Sequence, residues 1–522
     1  MTDLNEYLEE TIDDIGGFGL FQWILVILIF GSKITDNWST LMMTFGGVVP
    51  NWRCDLTTLD GLEINEYNMS EIEFCELTTS NSSVKCNSRL FEPEMSTVVS
   101  EWDLVCERSW IPSTITSLQM GGLIAGGFIS GQMADTIGRK LTYASALSAL
   151  LVFNTAAAFS TSWQMLAALR FFIGMGCGFV SSVNFTFVLE FTTRQSRSLL
   201  RFLPCREVFG ILYACLCWWL HDWRYIQIGT ATLVVPFLLL IIWFVPESFR
   251  WLVIHWKIQK AYEVIKRIAK VNDKKSPEYE KFHAEVIQVK DLVSEGKKYS
   301  ILDIIDNPRL LKFTLLLMVA WFSCGYGAYG IFFGVGQLAG NIYINLILLN
   351  VVGFVQVTGW YFVKCIGRKW TISMFFVIGG CSGVIVGILQ ILDINDKETF
   401  VTIFALISKA CVATGWMSLM LLTAELYPTV VRSIGSGLHN ATSGIGTMVA
   451  PMVIYASQKI PGLLYMVFAG LMFLSAFFVI LLPETNNQAL EDTIDVDSKN
   501  SVSKKIKSVF NKSERKDYGS LN

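Results

Sequence analysis

Apolar runs of about twenty residues recur along this chain, divided by short polar breaks. A hydrocarbon layer about 30 Å thick needs roughly 20 helical residues to cross it. Runs of that length stand at about 20–45, 111–133, 141–159, 163–189, 199–220 and 225–245. A second series follows at about 310–335, 342–363, 371–392, 400–424, 433–456 and 463–482. The pattern predicts twelve helices in two sets of six and an all-α membrane protein, with both chain ends on one side of the bilayer.

The polar breaks carry the orientation. Basic residues collect at Arg139/Lys140, at Arg194/Arg197/Arg201, through the lysine-rich stretch 257–298, at Arg368/Lys369, at Arg432 and in the tail 504–516. The positive-inside rule assigns these segments to the cytoplasm. The predicted domains are a cytoplasmic N-terminus 1–19, a first six-helix bundle 20–245 with an extracellular loop 50–109, and a cytoplasmic linker 246–309. A second bundle 310–482 and a disordered cytoplasmic tail 483–522 complete the chain. Within the linker, residues 250–271 have helical spacing and are expected to lie along the membrane surface. The first apolar run is a full span behind an acidic leader, the reverse of a signal peptide, so it is expected to stay in place.

Composition agrees with lipid as the surrounding medium. Hydrophobic residues make up 52% of the 522 and charged residues only 16%, against about 25% charged in soluble domains. The loop 51–109 has twelve acidic residues against four basic ones. It also holds Cys54, Cys75, Cys86 and Cys106, an even set suited to two disulfides in an oxidising compartment, with three pairings open. Asn68 and Asn81 open acceptor tripeptides for N-glycosylation, which marks the chain as a glycoprotein candidate. The remaining cysteines show no metal spacing, no catalytic order rises above chance, and neither an enzyme activity, a cofactor nor a nucleic-acid partner is expected.

The two halves share landmarks in the same order. Asp135-Thr-Ile-Gly138-Arg139-Lys140 answers to Lys364-Cys-Ile-Gly367-Arg368-Lys369, Glu190 and Arg197 to Glu425 and Arg432, and Pro246-Glu247-Ser248 to Pro483-Glu484-Thr485. Carboxylates and guanidinium groups at neighbouring helix ends can pair across the seam between halves. Asp135, Gly138, Arg139, Glu190, Arg197, Glu247, Arg368, Glu425, Arg432 and Glu484 are therefore candidates for a conformational latch, the other reading being charges that stop helices slipping through the bilayer. Lys364 stands where the first half has Asp135 and cannot make the same contact.

Several strings are more specific than the repeat: Trp102-Asp103-Leu104-Val105-Cys106 closing the first loop, Asp222-Trp223-Arg224-Tyr225, Pro246-Glu247-Ser248-Phe249-Arg250-Trp251-Leu252, and Ala424-Glu425-Leu426-Tyr427-Pro428-Thr429-Val430-Val431-Arg432. With these the chain resembles solute carrier family 22 of the major facilitator superfamily, the organic cation, organic anion and carnitine transporters, over nearly its whole length. The resemblance implies a major facilitator fold of two pseudo-symmetric six-helix bundles. It also implies a multi-pass carrier of small amphiphilic organic ions in the plasma membrane, working by alternating access. A coupling ion or an exchanged counter-substrate is a candidate second partner.

Ionisable groups inside spans are expensive and are functional candidates by default. Lys33 and Asp36 share a face of span 1, and Arg206 and Glu207 are neighbours in span 5. Lys33 and Asp36 either neutralise each other or face substrate. Arg170 in span 4 matches an arginine common in the superfamily and is read as structural, Lys409 stands in span 10, and His439 is read as bonding a neighbouring helix or taking a coupling proton. Cation transporters of the family place acids, and anion transporters bases, at positions that here are Val352, Gln356 and Gly444. Neither signature is present. Aromatics supply further candidates, namely Trp321, Tyr326 and Tyr329, the last matching a tyrosine that lines the site in similar anion transporters. One Asp and one Glu beside compensating cations give a lean toward organic cations or carnitine-like zwitterions. The alternatives are an organic anion held by Lys33 and Arg206, and a non-transporting receptor or scaffold on the same fold.

Overall fold

A computed structural model describes residues 4–54, 75–79, 82–86, 88–193, 200, 204–293, 300–338, 340–392, 397–428 and 431–485. Twelve of its helices stand where the hydropathy pattern puts spans: α1 Leu20–Gly46, α2 Ile111–Thr136, α3 Arg139–Ala158, α4 Trp163–Leu189, α5 Cys205–Leu220 and α6 Trp223–Phe244 in the first half, then α7 Pro308–Phe333, α8 Ile342–Val351, α9 Arg368–Ile391, α10 Lys397–Leu426, α11 Arg432–Ser457 and α12 Leu463–Ile480 in the second. A turn of 3₁₀ helix, Val352–Thr358, and a final segment Gly359–Ile366 continue α8. Among the described residues, nine of the spans are long and apolar enough to cross a membrane. The other three are α2, α5 and α11. The α5 helix has only 16 residues, and α2 and α11 are diluted by glycine, serine and threonine.

The chain divides into two compact units. The first comprises 1–290, 332–351 and 450–459, the second 291–331, 352–449 and 460–522. The chain leaves one unit for the other beside helix irregularities: the 3₁₀ turn Gly334–Gln337 after α7, the 3₁₀ segment within span 8, and Pro451 inside α11.

Close helix approach in the first unit is written in glycine. On α2 and α4, Gly122, Gly126, Gly174 and Gly178 face one another so tightly that a Cβ on any of them would stand 2.0–2.2 Å from a backbone oxygen of the partner helix. Lipid gives helices no hydrophobic reason to associate, so small residues that admit backbone contact do that work. Helix starts are capped as the sequence dictates. Asp222 accepts from the amides of Arg224 (2.7 Å) and Tyr225 (3.3 Å), and Ser162 accepts from Met165.

The first loop contains β1 Trp52–Cys54, β2 Glu76–Thr79, β3 Ser82–Lys85 and β4 Arg89–Phe91, paired antiparallel as β1–β4 and β2–β3. Cys54 joins Cys86 and Cys75 joins Cys106, which selects one of the three open pairings. Two strings far apart in sequence meet beneath this loop. Trp223 Nε1 donates to Glu101 Oε2 at 2.8 Å, Trp102 packs edge-on against Trp223, and the Arg224 guanidinium grips the Glu101 carboxylate. Asn68 and Asn81 lie outside the described residues, as do Arg197 and the tail beyond residue 485.

The linker departs from expectation. Helix Ile258–Val271 buries Ile258, Ala261, Ile265, Ile268 and Ala269 inside the first unit, so its apolar stripe is covered by protein. The N-terminal helix Leu4–Asp14 joins the same cluster through Tyr7 against Phe282 and Glu9 near Arg250. Asn272 closes the group on α1. It accepts from the Phe21 amide at 2.9 Å and donates to the Ile15 carbonyl.

Candidate functional site

In the first unit, the polar stripe of α1 organises the candidate charges. Asp36 is 8% exposed. Its Oδ2 accepts from Ser181 of α4 at 3.0 Å, the Cys177 thiol donates to its backbone oxygen at 3.8 Å, and its Oδ1 has no hydrogen-bond partner. Lys33 is half-buried, with its ammonium 5.8 Å from the Phe30 ring. Among the described residues Lys33 and Asp36 form no direct ion pair, although Lys33 interacts electrostatically with Asp36, Arg206 and Glu207 together. The four charges expected at the site are therefore neighbours, but the simple neutralised pair on α1 is not what forms.

Arg206 and Glu207 are not mid-helix. Pro204 stands outside the helix and α5 begins at Cys205, because a proline removes an amide donor and crowds the preceding turn. Both residues thus occupy the first turn, Arg206 exposed and Glu207 half-buried.

Arg170 is fully buried and structural in its contacts. It donates to the Ser39 carbonyl at 3.1 Å and to Gln227 Oε1 at 2.7 Å, and Gln227 in turn bonds Asn154. One side chain of α4 thereby holds α1, α3 and α6.

In the second unit, Trp321 lies stacked on His439 (6.0 Å, 9°) and edge-on to Trp416, and its indole donates to Thr423 at 3.0 Å. His439 is wholly buried. Its Nε2 lies 3.0 Å from the Tyr427 hydroxyl, which lies 2.5 Å from Thr314, while its Nδ1 has no partner. Tyr326 is buried too and donates to the Leu464 carbonyl, so it fastens α7 to α12. Tyr329 and Gln356 are half-buried, Gln356 on the 3₁₀ segment of span 8. Lys409 donates to the Ala328 carbonyl of α7 at 3.1 Å.

A cavity of ≈ 220 Å³ lies in the first unit against the disulfide-linked loop, lined by Met43, Trp52, Val105, Pro112, Phe333 and Pro451 among others. It holds none of the charged candidates.

The latch candidates form two copies of one arrangement. Arg139 Nε donates to Glu190 at 3.0 Å and its Nη1 to Asp135 at 2.5 Å, while Glu247 Oε1 accepts from the amides of Arg139 (2.9 Å), Lys140 (3.1 Å) and Ser248 (2.9 Å). In the second half Arg368 Nη2 reaches Glu425 at 3.0 Å, and Glu484 accepts from the amides of Arg368 (2.9 Å), Lys369 (3.1 Å) and Thr485 (3.2 Å). Gly138 and Gly367 carry φ of +115° and +100°, and a Cβ there would meet the capping carboxylate at 2.4 and 2.9 Å. Each of these pairs joins landmarks of one half. Arg432 donates to the Tyr427 carbonyl at 3.4 Å while Glu425 goes to Arg368. Sequence order put Glu425 and Arg432 together, but folding gave Glu425 the nearer guanidinium.

Known proteins fit this arrangement. A family model described as "Sugar (and other) transporter" matches residues 60–496. Organic anion transporter 3 of Pongo abelii is 30% identical over 78% of this chain and 75% of its own, and the rabbit (Oryctolagus cuniculus) protein of that name is 27% identical over 95% of each. Mouse solute carrier family 22 member 21 is 26% identical over 93% of this chain. The chain belongs to solute carrier family 22. Its fold is that of the major facilitator superfamily. The xylose transporter XylE of E. coli in its inward open conformation superposes with a TM-score of 0.65 at 16% identity, over 90% of this chain and 98% of that one. This member of solute carrier family 22 is therefore a multi-pass membrane transporter and not an enzyme.

The residues that sequence reasoning missed are Ser181 and Cys177 beside Asp36, and Trp416, Tyr427, Thr423 and Thr314 around His439. All but Tyr427, which directly follows α10, stand on helix faces toward a neighbour. The available signal was the polar content of α4 and α10 inside otherwise apolar spans.

Proposed function

We propose that this protein carries small organic anions across the plasma membrane by alternating access, with both chain termini cytoplasmic. The observation that carries the reading is the charge balance within the spans. Among the in-span charges named above as candidates, four cations, Lys33, Arg170, Arg206 and Lys409, stand against two carboxylates, Asp36 and Glu207. An excess of positive charge in low dielectric favours an anionic guest. The names of the relatives support the same sign, since several are organic anion transporters. Both favour the anion alternative over the lean toward cations and carnitine-like zwitterions, which had treated spans 1 and 5 as balanced and left Arg170 and Lys409 out of the sum.

In this reading Lys33 and Arg206 hold the substrate's negative group, with Asp36 and Glu207 setting their positions. Within the second unit, Trp321, Tyr329 and Gln356 are the candidate substrate contacts, with His439 and Tyr326 as their support. The Glu190–Arg139 and Glu425–Arg368 clusters fasten the ends of their own bundles so that each moves as one body. A counter-substrate exchanged for the anion supplies the driving force, and Asn68 and Asn81 carry glycans on the outer face.

Uptake of labelled p-aminohippurate, tetraethylammonium and carnitine in expressing cells tests the sign. Accumulation of p-aminohippurate above vector controls is expected. Accumulation of tetraethylammonium alone would return the protein to the cation reading, which the unpartnered Oδ1 of buried Asp36 favours.

A further inference from the structure

The internal repeat offers a comparison within one molecule. The α2–α3 and α8–α9 turns are related by a shift of 229 residues (367 less 138), and their scaffolds coincide: Gly138 and Gly367, Arg139 and Arg368, Lys140 and Lys369, Thr142 and Thr371. The contacts repeat as well. Thr142 donates to the Gly138 carbonyl at 2.8 Å and Thr371 to Gly367 at 2.6 Å, while Lys140 reaches the Ile242 carbonyl at 2.8 Å and Lys369 the Ile480 carbonyl at 3.3 Å.

On that shared scaffold three of the exchanges bring in a cation and two indoles. Gly131 becomes Trp360, Asp135 becomes Lys364 and Leu141 becomes Trp370. Trp360 and Trp370 are 51% and 50% exposed. The Lys364 ammonium lies 3.6 Å over the Trp360 ring and that of Lys369 lies 5.2 Å over Trp370. Among the described residues Lys364 enters no ion pair. It also sits four positions before Arg368, across the helix break at Gly367, whereas Asp135 at the matching place pairs with Arg139 at 2.5 Å.

Exposed tryptophans beside lysines at the end of a span suit the interface between hydrocarbon and headgroups. Ammonium groups there attract anionic lipid, by about 1 kcal/mol for each lysine, or roughly fivefold. We propose that Lys364, Lys369, Trp360 and Trp370 form a binding site for the headgroup of an anionic phospholipid, a site that the first half lacks. The occupant is a lipid because both tryptophans are half exposed beside the ammonium groups, and an indole at the end of a span suits the headgroup layer. A soluble anion would use neither ring. The positive-inside assignment puts this turn on the cytoplasmic leaflet, where anionic lipids supply the ligand.

The test uses the full-length protein, purified in detergent and exposed to phosphatidylcholine containing a minor fraction of phosphatidylserine, with retained lipid quantified by mass spectrometry. Phosphatidylserine enriched about fivefold or more over its share of the mixture is expected. The triple variant Trp360→Gly, Lys364→Asp, Trp370→Leu, which restores the first-half residues at these three positions, should lose the enrichment. Lys364→Asp alone keeps both rings and should lose most of it, which covers the case in which the triple variant fails to fold. No enrichment in the wild type, or equal enrichment in the Lys364→Asp variant, overturns the proposal. Complete displacement by millimolar inorganic phosphate overturns the lipid assignment in favour of a soluble anion. No transport is measured, so the result stands apart from the sign of the substrate.

Discussion

Glu247 shows what a single side chain does at the end of a bundle. Its carboxylate accepts from three backbone amides at 2.9–3.1 Å, those of Arg139 and Lys140 where α3 starts and that of Ser248, and the two donors of α3 have no partner inside their own helix. The negative charge also faces the positive end of the helix dipole. Glu247→Ala leaves the amides unmet and should destabilise the protein by about 1–3 kcal/mol. Glu247→Gln keeps one acceptor and should cost about half as much. Thermal unfolding in detergent would order the three proteins wild type, Gln, Ala, and an Ala variant that melts with the wild type would remove the capping role. The sequence displayed Glu247 and Glu484 as matched landmarks, and it displayed Lys33, Asp36, Arg206 and Glu207 as charges in apolar runs. It did not display their partners. Pairing depends on how each helix is rotated about its axis. A charge on α1 cannot announce that its hydrogen bond comes from Ser181, 145 positions away.

At the scale of elements, spans were legible because about twenty apolar residues have only one way to sit in lipid, and eleven of the twelve helices begin within a few residues of the hydropathy estimate. The exception is α5, expected from 199 and found from Cys205 after Pro204, and that shift moves Arg206 and Glu207 to a helix start. The linker helix Ile258–Val271 was legible as amphipathic but not as protein-covered, since periodicity says which face is apolar and not what covers it. The GxxxG spacings Gly122/Gly126 and Gly174/Gly178 were a readable signal for α2 against α4, and they give a sharp contrast. Gly126→Ala places a methyl 2.1 Å from the Met175 carbonyl oxygen, whereas Gly127→Ala meets nothing within 4 Å. Gly126→Ala should abolish monodisperse, surface-expressed protein, and its neighbour should express as the wild type does. Fluorescence-detected size exclusion on the two variants checks this, and equal profiles would mean that α2 and α4 do not pack as described.

For the whole molecule, the proposed anion carriage makes selectivity a property of the summed charges of the spans. Electrostatic energy in low dielectric decays slowly with distance, so groups on different helices act on a guest together. This is why the absence of family-type charges at Val352, Gln356 and Gly444 does not leave the protein without a sign. Changing Lys33→Gln and Arg206→Gln in one protein leaves Arg170, Lys409, Asp36 and Glu207, an equal number of cations and carboxylates. Arg170 keeps its bonds to Ser39 and Gln227, so the packing of α1, α4 and α6 survives and the variant should reach the cell surface. Its uptake of p-aminohippurate should then fall at least tenfold, the loss of about 1.4 kcal/mol in transition-state stabilisation. Uptake of tetraethylammonium should rise above background, because the excess positive charge that repelled it is gone while Asp36 still presents an unpartnered oxygen. Asp36→Asn shifts the sum the other way and should leave cation uptake at background. Surface biotinylation beside the uptake assay separates selectivity from expression. A double variant that is present at the surface and still prefers p-aminohippurate as strongly as the wild type would place anion recognition on other residues.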